Sequence, residues 1–211
     1  MNKIFVTGPT GTQGFPIVKE LLAKGFKIRA FALESDPKLP QLKELGPNVE
    51  VVCGDLLDEE SIYSAVQGCD GVFFLPAIPT SGDPTKEITL GKNMVSACER
   101  ANVTYMVHSS VDRAGEEETF KGWGPDFWPG YAGYWRGKST VLQMVKDSKI
   151  PPLGDPEAGL HDGLLRATQG VGHVSPAEAG NRRLRQNTGD MGELHVRRRH
   201  GEAGGGGLLQ F

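Results

Sequence analysis

Two short patterns in this chain have residue types and spacings that could carry chemistry. Tyr134-Trp-Arg-Gly-Lys138 sets a phenol and an ammonium four residues apart, which puts both on one face of a helix. An ammonium beside a phenol favours the ionised form, so the phenol can act as a general acid. A Tyr at this position also has a plainer reading, as a packing aromatic, because five-residue matches arise often by chance. The second pattern is Gly8-Pro-Thr10-Gly11-Thr12-Gln13-Gly14, with glycines at its first, fourth and seventh positions. Such a turn lets backbone come close to a pyrophosphate, and a helix starting there offers free N–H groups. Its plainer reading is a turn that only packs a helix on a sheet.

The elements around these patterns decide between such readings. Ile4, Phe5 and Val6 read as a buried strand running into Gly8. Ile17, Val18, Leu21 and Leu22 then recur at helical spacing until Gly25, with Pro16 in the first turn, where its missing N–H costs little. Strand, glycine turn and helix is the setting that dinucleotide binding requires. Further strands are expected at Lys27 to Leu33, Val49 to Val52, Gly71 to Leu75 and Thr104 to Val107. Helices are expected at Gln41 to Leu45, from Asp58 through Val66, at Lys86 to Ala101 and at Ser139 to Lys146. Strands that alternate with helices and are apolar on both faces argue for an α/β fold, a doubly wound parallel sheet of about five strands.

Composition excludes several classes. A net charge of -3 supplies no broad basic field for nucleic acid. Cys53, Cys69 and Cys98 have no metal-type spacing and read as reduced thiols, so no metal is expected. No apolar run approaches membrane-spanning length, and Met1 leads straight into the first strand without room for a signal peptide. A cytoplasmic protein is expected, or a nuclear one if its role is regulatory. Glu116, Glu117 and Glu118 read as a solvated charge run. Seven aromatics lie between Phe120 and Trp135, interleaved with glycines. They suggest either an apolar lid or a loop folded on its own rings. His108 reads as a hydrogen-bonded residue at a strand end rather than a catalytic group.

Gly8-x-x-Gly11-x-x-Gly14, Cys53-Gly54-Asp55-Leu56, Asp70-Gly-Val-Phe-Phe74 and Val107-His-Ser-Ser110 together resemble the NmrA-like family, atypical short-chain dehydrogenases/reductases. The resemblance covers residues 1 to about 150. It implies a Rossmann-type fold and NADP or NAD as cofactor. Gly8, Thr10, Gly11, Thr12, Gln13 and Gly14 would hold the pyrophosphate, Asp55 and Leu56 would meet the adenine, and Pro76 and Ala77 would pass the ribose. Lys138 would grip the nicotinamide ribose, Tyr134 would act as the acid, and Ser110 would hydrogen-bond a carbonyl or enone substrate. Relatives that bind NADP carry an Arg just past the second strand, where this chain has Leu33 followed by Glu34, so the phosphate preference stays open. The family includes reductases and redox-sensing regulators that bind NADP without turnover. The resemblance therefore implies an NAD(P)-dependent reductase, a non-catalytic sensor acting on a protein partner, or an inactive truncated product.

After Ile150 the composition changes. Residues 1–150 hold twelve Lys and four Arg, whereas residues 151–211 hold no Lys, seven Arg and thirteen of the 29 glycines. Apart from a short helix around Pro176 to Arg185, this tail is expected to be disordered and to add no strand to the sheet. Read one base later, codons for Pro152 to Leu165 permit a segment similar to the family's sixth strand, so an out-of-frame tail without the substrate lobe is expected. The organisation expected is thus a dinucleotide-binding domain over 1–150 and an irregular tail over 151–211.

Overall fold

A computed structural model describes residues 3–76, 84–124, 131–150 and 192–196. Strands β1 (Lys3–Thr7), β2 (Lys27–Ala32), β3 (Val49–Cys53), β4 (Gly71–Phe74), β5 (Tyr105–Val111) and β6 (Gly192–Val196) form one sheet in the order β3-β2-β1-β4-β5-β6. The first five are parallel, and β6 runs antiparallel to β5. Helices α1 (Gly14–Ala23), α2 (Leu39–Lys43), α3 (Glu59–Val66), α4 (Pro84–Arg100) and α5 (Tyr131–Asp147) lie between the strands in sequence.

The alternation of side chains along β1 divides the core in two. Ile4 and Val6 face α1 and α2, packing with Ile17, Val18, Leu21 and Leu42. Phe5 faces the other way, into a cluster with Ile62 of α3, Met94 of α4 and Val141 of α5. Both faces of the sheet are therefore covered, as parallel strands require. Asp58 caps α3, accepting from Glu60 N–H at 3.0 Å and Ser61 N–H at 3.3 Å. On α4, a Cβ at Gly91 would come 2.6 Å from Val141 of α5, so that glycine sets how closely the two helices approach.

Three expectations need correction. β5 continues through Val111, four residues beyond the expected Val107, so His108 lies within the strand and Ser110 near its end; their backbones pair across to β6. α5 starts at Tyr131, two turns before Ser139, so Tyr134 and Lys138 lie inside the helix and the glycines at 133 and 137 did not break it. The third concerns the tail, which does contribute a strand, at Gly192–Val196. Glu193, Leu194, His195 and Val196 alternate polar and apolar, and their backbone partners the otherwise open edge of β5. The expected helix around Pro176 to Arg185 lies outside the described residues.

Candidate functional site

The sheet order changes direction between β1 and β4, and in such sheets ligands bind beyond the carboxyl ends of the strands at that point. Thr7 holds the two strand ends together. Its Oγ1 donates to Leu75 O at 2.9 Å and accepts from Leu75 N–H at 2.8 Å. Pro76 follows directly and is buried, while Ala77 lies outside the described residues.

The glycine turn begins at Gly8, whose φ of 58° is left-handed. Gly11 N–H donates to Gly8 O at 3.1 Å, and Phe15 N–H to Gly11 O at 3.0 Å. The glycines differ in purpose. A Cβ at Gly14 would lie 2.0 Å from Gly8 O, so Gly14 is required by the protein's own packing. A Cβ at Gly11 would meet only Gly8 O, at an ordinary 3.4 Å. The turn therefore leaves room at Gly11 that no atom of the described residues fills, and none of their side chains caps the N-terminus of α1. An open glycine beside uncapped helical N–H groups fits a diphosphate. Thr12 and Gln13 are exposed there.

Thr10 points the other way, towards β2. Its Oγ1 donates to Asp36 Oδ2 at 2.5 Å, in the loop after that strand. Beyond β3, Gly54 is tight, since a Cβ there would come 2.5 Å from the Phe31 ring. Asp55 is exposed and accepts from Leu57 N–H at 2.9 Å. Leu56 packs against the core and accepts from Asn93 Nδ2 of α4 at 3.1 Å.

Between α4 and α5, Glu87 and Lys138 meet one turn towards the N-terminus of each helix from the Gly91–Val141 contact. Lys138 Nζ lies 2.7 Å from Glu87 Oε1, with both side chains largely buried. Burial pushes the Glu87 carboxyl above its ordinary value, against the pull of Lys138. The ammonium also stands over the Tyr134 ring, 5.5 Å from its centroid. Tyr134 and Lys138 thus share a helix face, and the ammonium meets the ring face of the phenol. Ser110 is buried on β5, and its Oγ has no hydrogen-bond partner among the described residues. His108 is fully buried and stacks on Phe74 at 5.3 Å between centroids.

Asp36, Glu87 and Glu117 were not legible as site or scaffold residues. Asp36 is 26 positions from Thr10 in sequence, in a polar loop. Glu87 carries no signal beyond its place on an amphipathic helix. Glu117 was read as a solvated charge, yet it is buried, accepting from Gly115 N–H at 2.8 Å and from Ser139 Oγ at 2.5 Å. It ties the segment after β5 to α5. Phe120 packs edge-on against Trp123 and Trp135, which favours rings folded on one another for the described part of the aromatic stretch. Phe127 and Trp128 lie outside the described residues.

The model of the NmrA-like family matches residues 1–152. The chain belongs to this family. Among relatives of this NmrA-like chain, cinnamoyl-CoA reductase 1 of Petunia hybrida is 38% identical over 115 residues, covering 51% of this chain and 34% of that protein. The 2-alkyl-3-oxoalkanoate reductase of Shewanella oneidensis is 33% identical, covering 56% and 32%. The chain thus spans about a third of the length of these curated relatives. Its fold is also that of the Citrobacter sp. triphenylmethane reductase, solved in complex with NADP(H). The TM-score is 0.56 at 24% identity, covering 71% of this chain and 47% of that one.

Proposed function

We infer that this NmrA-like chain binds NAD or NADP across the ends of β1 and β4 and descends from, or acts as, a reductase of carbonyl or enone compounds. The observation that carries the reading is the pair formed by Gly11, open to a ligand, and the uncapped start of α1, both at the point where the sheet changes direction. Gly8, Thr10, Gly11, Thr12, Gln13 and Gly14 form the diphosphate cradle, with Asp55 and Leu56 towards the adenine and Pro76 at the ribose. Reductases among its relatives and the NADP(H) complex of a protein with the same fold support this.

When bound, the nicotinamide supplies hydride to the substrate carbon. In this reading Tyr134 Oη holds the proton that goes to the substrate oxygen. Ser110 Oγ, unengaged by other described residues, donates a hydrogen bond to that oxygen. Lys138 contributes positive charge, and Glu87 fixes where that charge sits.

One observation favours the second reading, a dinucleotide-sensing regulator without turnover. Lys138 is engaged by Glu87 and lies over the Tyr134 ring, an arrangement that favours holding the ammonium over activating the phenol. Fluorescence titration with NADH and NADPH tests binding, and equal affinity in Gly11→Val would defeat the cradle. Turnover of a panel of aldehydes, ketones and enones separates the two readings. Reduction that is lost in Tyr134→Phe establishes the enzyme, and binding without any turnover establishes the sensor.

A further inference from the structure

We propose that Glu87 and a bound dinucleotide compete for the Lys138 ammonium, so that binding opens the buried Glu87–Lys138 pair and places one proton from water on the Glu87 carboxylate. This rests on the dinucleotide reading above and names a regulation of that site, by pH.

The pair stands at the ligand-binding level of the sheet. β4 and β5 are parallel and α4 joins them, so α4 starts at their carboxyl ends and returns towards their amino ends. Glu87 lies in its first turn. A dinucleotide lying across the ends of β1 and β4, with its diphosphate on α1, puts one of its halves on the β4 side.

The pair is enclosed but loosely directed. Lys138 Nζ lies 2.7 Å from Glu87 Oε1, and the two side chains are 12% and 5% exposed. Oε1 makes no aligned hydrogen bond among the described residues, so charge rather than hydrogen-bond direction holds the ammonium. The ammonium also faces the Tyr134 ring, which leaves its N–H donors to oxygen acceptors. Nucleotide hydroxyls and phosphates are such acceptors, and Glu87 fixes the ammonium until they draw it away.

Opening the pair strands Glu87. A lone carboxylate buried there is costly and takes a proton instead. Burial already pushes this carboxyl above its ordinary value, and Lys138 is what opposes the push. The other charged or titratable groups of the surrounding elements are engaged or turned to solvent. From α3, Asp58 caps its own helix, and Glu59 and Glu60 pair with Arg100 in the last turn of α4. Lys86 and Lys92 of α4 and Arg136 of α5 are exposed. Glu117 is held by Gly115 and Ser139. His108 of β5 is fully buried and stacks on Phe74. With the ammonium in place, Glu87 ionises at a lower pH than without it. Between those two values the unliganded chain carries the carboxylate and the bound chain the acid, so nucleotide affinity rises as pH falls.

Calorimetric titration of the full chain with NADH, in pairs of buffers that differ in heat of ionisation, counts the protons. NADH avoids the 2′-phosphate of NADPH, which itself titrates at about pH 6. If only NADPH binds, it replaces NADH, and the uptake shared with Glu87→Gln is subtracted. The unaltered chain is expected to take up close to one proton per nucleotide within the interval, and to bind up to about tenfold more tightly per unit of falling pH. Glu87→Gln keeps the shape without the charge, and Lys138→Met leaves no ammonium to release. Both are expected to bind without this uptake. A zero count in the unaltered chain throughout about pH 5–9, the span from an ordinary to a fully buried carboxyl, overturns the proposal whatever the variants do. Undiminished uptake in either variant overturns it too, because the proton then goes to another group such as His108. If neither nucleotide binds, the dinucleotide reading falls and this proposal with it, whereas binding without uptake overturns the proposal alone.

Discussion

The glycines of the turn separate two demands that a sequence motif presents as one. Gly14 is required by the protein, because any Cβ there runs into Gly8 O, and Gly11 is available to a ligand. Gly14→Ala is therefore expected to destabilise the fold by about 1–3 kcal/mol in denaturant unfolding. Gly11→Val is expected to leave stability nearly unchanged and abolish nucleotide binding in the fluorescence titration. A second residue-scale prediction concerns Glu87 and Lys138. Glu87→Ala strands a mostly buried ammonium, so it should cost about 3–5 kcal/mol, and the added Lys138→Met should recover part of that loss. The sign with pH follows from the raised Glu87 value. Folding favours its protonated form, so the stability it contributes is fully present below the ordinary 4.5 and is lost as pH rises through the raised value. Relative to Glu87→Gln, the unaltered chain should lose ground across that interval in urea unfolding. The turn was legible because strand, glycines and helix are contiguous. Asp36, Glu87 and Glu117 were not, because their meaning comes from partners distant in sequence.

At the scale of elements, periodicity placed the five parallel strands and the helices between them, with errors mainly at their ends. The start of α5 was missed because the aromatics interleaved with glycines before Ser139 read as a lid or an irregular loop. Tertiary contacts override that local weakness: α5 lies against α4, and Ser139 is tied to the buried Glu117. β6 was missed because four alternating residues, Glu193 to Val196, sit among arginines and glycines, and among the described residues the edge of β5 gives them their partner. Removing residues 192–211 should therefore uncover that edge. Faster amide hydrogen exchange along Tyr105–Val111 and increased aggregation by light scattering are expected. Unchanged exchange there would show that the pairing adds nothing.

For the whole molecule, the family match and the change of sheet direction between β1 and β4 support the proposed dinucleotide site, and the chain spans about a third of the length of its curated relatives. The proposed dinucleotide site makes a global prediction. A ligand that binds only the folded state stabilises it by about 2.7 kcal/mol when present at a hundred times its Kd. For a folded unit of this size, each kcal/mol raises Tm by roughly 2–8 °C. Saturating NADH should thus shift the thermal midpoint by several degrees, and by clearly less in Gly11→Val.

The pairing of Val111 with Gly192 also bears on how the chain reaches its native state. The parallel strands are joined by short crossovers and can assemble in sequence, one unit after another. β6 must find β5 from roughly eighty positions away, a contact of high sequence separation that forms slowly. During synthesis or refolding, the outer edge of β5 is therefore the last to close, and in that interval a second nascent chain competes for it.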